Sequence, residues 1–302
     1  MSEGLIYRYG GFGQESEFGA AVAATRHVDI LSATLDTPND PNLYYEGGLT
    51  RARRYHRPGY YAPSGNIAFG AQPDILLSAL YWALGAGTKM ESYGSENTLL
   101  PSFTARVGKD LYEQIVSGCT VNTLEFVVND SFAQLTLDVI GQKDAKGSLT
   151  AEHSLLLDPD PIIAFHEVQV TAGYTCSQIK SITLNINNSL DGEVGRGCGS
   201  RHPYRIPAQA REIDLTLDLW FKDDVELERF WGGSAPSANS PTEFEIKLML
   251  PGVEITLPRC IVAEVNNQPS GRARMDQPVT IRALRGMAGG HRTEILVEAA
   301  ES

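Results

Sequence analysis

Apolar and polar side chains alternate with period two over 212–221. Ile213, Leu215, Leu217 and Leu219 face one way and Glu212, Asp214, Thr216 and Asp218 the other, which predicts a half-buried strand. Similar alternation predicts strands over 28–35, 66–69 and 179–187, the last with Ile182, Leu184 and Ile186 on its inner side. Helical spacing of Leu76, Leu77, Leu80, Tyr81 and Leu84 predicts a helix over 74–84, opened by Pro73 and Asp74 and closed by Gly85. A shorter helix is predicted between Asp223-Asp224 and Gly232-Gly233.

One pattern occurs twice, over 103–141 and 244–285. Each copy opens on a phenylalanine, Phe103 or Phe244, and turns at Gly108-Lys109-Asp110 or Pro251-Gly252. Each then reaches a cysteine, Cys119 or Cys260, at the same spacing. Two alternating strands follow, 121–128 with 133–140 and 261–266 with 278–284. Repeated spacing within one chain implies an internal duplication. Each unit reads strand, long loop, strand, helix and two hairpins. The expected fold is mainly β: two tandem sandwich or barrel domains, 1–160 and 161–302, each with one flanking helix and a long loop. The joint falls at Asp158-Pro159-Asp160-Pro161, where prolines cannot continue a ladder.

Composition narrows the function. A chain of 302 residues has room for two cores, and 42% hydrophobic against 21% charged residues is globular. The formal net charge of -12 opposes general adherence to nucleic acid or anionic lipid. No basic region followed by an apolar run opens the chain, and the longest apolar stretch, near 75–84, is too short to span a bilayer. The four cysteines show no CxxC spacing and no histidine cluster, so zinc is not expected and they read as reduced, buried thiols. The six histidines are scattered, with no HExxH, GxSxG or phosphate-loop motif, so neither catalysis nor a cofactor nor a metal is expected.

Two features depart from an ordinary surface. Loop 36–63 is basic and aromatic, with Tyr44, Tyr45, Arg51, Arg53, Arg54, Tyr55 and Arg57, followed by Tyr60 and Tyr61; loop 189–208 adds Arg196, Arg201 and Arg205. Tyrosine and arginine enrichment favours a protein interface over a nucleic-acid site. The second feature is the polar side of the strands, which carries Glu125, Asp138, Glu212, Asp214, Asp218 and Glu264 against Arg282. One sign dominates, which suits either ordinary solubility or a wall past which another polyanion moves.

Three stretches carry a family resemblance: GFGQESEFGAAV at 11–22, VSGCTVNTLEFVVNDSFAQLTLDVIGQ at 116–142 and IKSITLNINNSLD at 179–191. With the duplicated plan, the chain resembles bacteriophage tail tube proteins of the long two-domain type. The resemblance implies a structural protein of the virion tail, assembled in the host cytoplasm. Copies would form trimeric, pseudo-hexameric rings stacked into a hollow tube. The six carboxylates would face the lumen, and the tyrosines and arginines of the two loops would contact the next ring, the loops ordering on stacking. Implied partners are other copies, the tape measure protein and further tail components, with viral DNA in transit and no membrane. Alternatives are another ring-forming tail component, terminator-like, or a carbohydrate-binding β-sandwich of a host-recognition module. In the latter Tyr44, Tyr45, Tyr55, Tyr60, Tyr61 and Trp82 would stack on sugars.

Overall fold

The computed structural model describes residues 8–36, 41–42, 57–85, 90–91, 100–171, 174, 176–193, 195–235, 240–266, 276–288 and 291–299. The first half contains β1 (Gly10–Gln14), β2 (Arg26–Val28), β3 (Ile30–Ala33), β4 (Pro41–Asn42), β5 (Arg57–Pro58), β6 (Ser64–Gly70), α1 (Pro73–Leu84), β7 (Met90–Glu91), β8 (Phe103–Lys109), β9 (Tyr112–Val128), β10 (Gln134–Ile140) and β11 (Lys143–Gly147). The second half contains β12 (Gln169–Thr171), β13 (Ile179–Asn187), β14 (Glu212–Trp220), α2 (Val225–Trp231), β15 (Phe244–Leu250), β16 (Val253–Val265), β17 (Asp276–Ala283), β18 (Gly286–Ala288), β19 (His291–Thr293) and β20 (Leu296–Ala299).

The chain is mainly β. Its principal sheet runs β12-β15-β16-β17-β14-β13-β9-β10-β6-β3, antiparallel at every pair and not closed. One sheet therefore runs through both halves of the chain. The reason is the seam: β9 of the first half and β13 of the second pair directly, Thr123 opposite Asn187 through Val128 opposite Ile182. Joining there satisfies two strand edges that separate domains would leave open.

The order of pairing is the same on both sides of the seam. β3-β6-β10-β9-β8-β1 in the first half corresponds to β13-β14-β17-β16-β15-β12 in the second. Irregularities fall at matching places, between Ile30 and Ser32 and between Ile179 and Ser181. The repeated Phe–Cys spacing becomes a cross-strand pair in each half, Phe103 with Cys119 and Phe244 with Cys260, and each is followed by a bulge. Both thiols are buried, and burial pushes the Cys260 pKa up to about 12. Cys176 and Cys198 are exposed, which corrects the expectation of four buried thiols: they lie in a one-turn helix and a loop, outside the strand pattern that buries the other two.

Period-two patterning gives the large sheet one apolar and one polar face. Ile67, Leu137, Leu124, Ile186, Ile213, Leu215 and Ile281 are buried on the apolar side. The long strands change layer part-way. β9 pairs with β8 and β11 along 112–119 and with β10 and β13 along 120–128. Gly118 sits at the change with φ +68, a conformation that favours glycine. Phe12, Phe69, Trp82 and Phe103 fill the space between the layers, Trp82 stacked on Phe103 at 4.2 Å. The predicted strand over 28–35 is broken at Asp29 because β2 pairs with β1 in one layer and β3 with β6 in the other.

His27 ties this region to the joint between halves. Its Nδ1 accepts from the Leu156 amide at 3.0 Å, so Nε2 holds the proton, buried and without a partner among the described residues. Burial lowers its pKa and the nearby Arg106 acts in the same direction, against the opposing pull of Glu113. The folded state thus resists a proton that the unfolded chain accepts. Its stabilising contribution is full above about pH 6.5, the unfolded value, and is lost as pH falls towards the folded one. Urea midpoints measured from about pH 7.5 down to about 5 should fall more steeply for the native chain than for His27→Gln. Parallel curves would show that His27 does not carry the effect.

Candidate functional site: the polar sheet face and the loops beside it

Register places all six predicted carboxylates on one face. Across the sheet, Thr136, Glu125, Asn185, Asp214 and Arg282 stand opposite one another in a row. A second row holds Asn66, Asp138, Thr123, Asn187 and Glu212. A third ends Thr183, Thr216, Thr280, Glu264. Asp218 lies one step further along β14, opposite Ser181 and Pro278.

The carboxylates are not electrically alike. Asp214 is held by Arg282 through two bonds, 2.9 and 3.1 Å, and this pairing raises the Arg282 pKa. Lys180 reaches Asp276 at 2.6 Å and Asp218 at 3.5 Å over the Trp220 ring, and the bond to Asp276 raises its pKa. Asp138 accepts from the Asn122 amide at 2.7 Å. Glu125, Glu212 and Glu264 are exposed and make no ion pair among the described residues. Asp138 keeps its charge beside the neutral Asn122 amide and Lys180 is shared by two acids, so the negative character of the face rests on Asp138 together with these three. Lys180 was missed by sequence reasoning because it falls at a bulge in β13, where strict alternation fails.

The loop residues divide differently. Tyr44, Tyr45, Arg51, Arg53, Arg54 and Tyr55 lie outside the described residues, as does the side chain of Arg57. The end of the first loop meets the second loop within the chain. Tyr60 donates to the Gly192 carbonyl at 2.5 Å beneath the Arg196 guanidinium, 4.0 Å from the ring centroid. Arg201 donates to Gly59 at 2.9 Å, its carbonyl accepts from the Tyr61 amide at 2.8 Å, and Tyr61 donates to Asp144. These described portions are tied to each other by contacts within a single chain. Arg205 borders an open cleft of about 450 Å³ with Glu17, Tyr81 and Tyr204. Trp82 is buried, so it offers no sugar platform.

The first motif stretch ties strands within the first half, and the other two meet at the seam. Glu15 accepts four bonds, from the amides of Gly19 and Gly118 and the hydroxyls of Ser102 and Thr104, at 2.7–2.9 Å. Asn122 accepts from the Leu190 amide at 2.9 Å, and Asn188 donates to the carbonyls of Ala83 and Val121 at 2.9 and 3.1 Å. Their chemistry is positional: Glu15 fixes the first half internally, and Asn122 and Asn188 fix how one half meets the other. Among the described residues no cluster of His, Cys, Asp and Glu could hold a metal, and no helix is long and apolar enough to cross a membrane. A family model described as phage tail tube protein matches residues 11–283. No curated protein matches the chain.

Proposed function

The chain belongs to the phage tail tube protein family, a structural family of the virion tail, and from that premise we propose that copies close laterally into rings that stack as a conduit for DNA. The observation that carries this is a pair of sheet edges that pair with no other strand among the described residues. Along the polar face the eight strands β3-β6-β10-β9-β13-β14-β17-β16 end at β3 on one side and at 261–265 of β16 on the other. The seam is a template for joining them. β16 occupies the place of β9 and β3 the place of β13, so β16 of one copy pairs with β3 of the next. Carrying the Glu125–Asn185 pairing across sets Asn266 opposite Asp36 of the neighbour.

On this reading the chain is duplicated, with units 1–160 and 161–302, and each copy supplies two of six equivalent sectors of a trimeric ring. The matched strand order and matched bulges support the duplication. The polar face then lines the lumen, where Glu125, Glu212 and Glu264, with the paired Asp138, Asp214 and Asp218 among them, repel phosphate and keep DNA from adhering. The loop residues at 44–57, with Arg196, Arg201 and Arg205, lie where rings meet. The tape measure protein and other tail components are partners, with assembly in the host cytoplasm.

Native mass and negative-stain microscopy of concentrated protein should give a trimeric ring and tubes. Asp36→Cys with Asn266→Cys, in a Cys176→Ser, Cys198→Ser background, should form disulfides between copies. A persistent monomer with no such disulfide would remove the reading.

A further inference from the structure

Helix α2 inverts the usual arrangement of a surface helix. It buries Glu226, whose carboxylate accepts from the Tyr174 hydroxyl at 2.7 Å and from Arg229 at 2.9 Å. It turns Val225 and Phe230 outward, 41% and 39% exposed, and Phe221, the residue just after β14, is 37% exposed. The residues at the same places in the first half, Ala71, Ile75 and Leu80, are fully buried. A buried acid beside exposed aromatic and branched side chains marks a contact surface.

The first half shows what belongs on such a corner. Its helix α1 is met by the second half: a Cβ on Gly252, in the β15–β16 turn, would lie 3.2 Å from the Pro73 Cβ at the head of α1. Asn188 and Arg211 donate to carbonyls at the other end of the same helix. The counterpart of that turn is the β8–β9 turn. Both turns have two residues, Asp110-Leu111 between Lys109 and Tyr112, and Pro251-Gly252 between Leu250 and Val253. Leu111 takes the place of Gly252 and is 87% exposed, more than any other large apolar side chain among the described residues.

We infer that Leu111 of one copy seats on Phe221, Val225 and Phe230 of the next copy in the ring, repeating between copies the contact that Gly252 makes with Pro73 inside one. This rests on the ring reading, which sets the second half of one copy beside the first half of the next. Size is complementary: a glycine meets the closed helix head in the chain, and a leucine meets the open apolar corner between chains. Charge agrees: Asp110 beside the knob is faced by Arg8 at 3.6 Å, leaving Lys109 in excess, while Asp223 and Asp224 outnumber Lys222 at the corner.

Leu111→Asp tests it by sedimentation of the full chain over a concentration series. Because Leu111 is exposed, the variant monomer should melt with the native one. The concentration for half-assembly should rise at least about tenfold, the loss of one leucine burial per contact. Leu111→Cys with Val225→Cys, in the Cys176→Ser, Cys198→Ser background, should form a disulfide between copies. An unshifted assembly curve without that disulfide, while the Asp36/Asn266 disulfide still forms, overturns the knob contact and leaves the ring standing. A monomer lacking both disulfides removes the ring and the contact together.

Discussion

Ala33→Pro is expected to leave the monomer folded and to stop ring closure. The amides of Thr34 and Asp36 donate to β6, to Asn66 at 2.8 Å and Ser64 at 2.9 Å. Alternation along the strand therefore turns the Ala33 amide away from β6, to the open edge. Proline there removes no bond within the chain, and proline is tolerated on edge strands whose amide faces solvent. Against a neighbouring strand, the same ring leaves a carbonyl unpaired and crowds the ladder, costing about 1–3 kcal/mol at each joint. A closed ring meets that cost at every joint, so the concentration needed for assembly should rise by at least about tenfold. Thermal melting of the dilute variant, compared with its sedimentation at high concentration, separates the two effects. Assembly at native concentrations would mean that β3 is not a joining edge.

Glu15→Ala should damage the monomer far more than any of the surface changes above. It deletes the acceptor for two backbone amides and two hydroxyls in a site only 5% exposed. Hydroxyls can turn elsewhere, but the amides of Gly19 and Gly118 cannot. Two stranded donors and the lost charge-assisted bonds together cost about 4 kcal/mol. For a chain of this size that lowers the melting temperature by about 6 °C. Glu15→Gln separates charge and geometry from volume: its amide nitrogen faces donors, so it should recover less than half of the loss. Scanning calorimetry of the three proteins checks both points, and a Gln variant that melts with the native chain would show that shape alone holds the site.

Much of the local structure was legible in the sequence because burial imposes a period. β13, β14 and α1 fall where alternation and helical spacing place them. The Phe–Cys spacing marks two residues that face each other across a hairpin, and the six acids share one face because a strand sends alternate residues to one side. The seam was not legible. Pairing of β9 with β13 leaves no mark in either strand's pattern, since both sides of the joint already alternate correctly. Charge compensation was hidden for a related reason: the partner of Asp214 lies 68 positions away, and Lys180 stands at a bulge. The motif stretches were visible as strings, yet their role needed coordinates, because Glu15, Asn122 and Asn188 act on backbone groups that carry no sequence signal.

β9 and β16 each belong to two layers along one unbroken backbone. The layers are therefore riveted by covalent bonds and cannot slide over each other as stacked sheets can. A load on the polar surface passes along peptide links into the opposite layer, so the two layers resist shear together, like a corrugated plate.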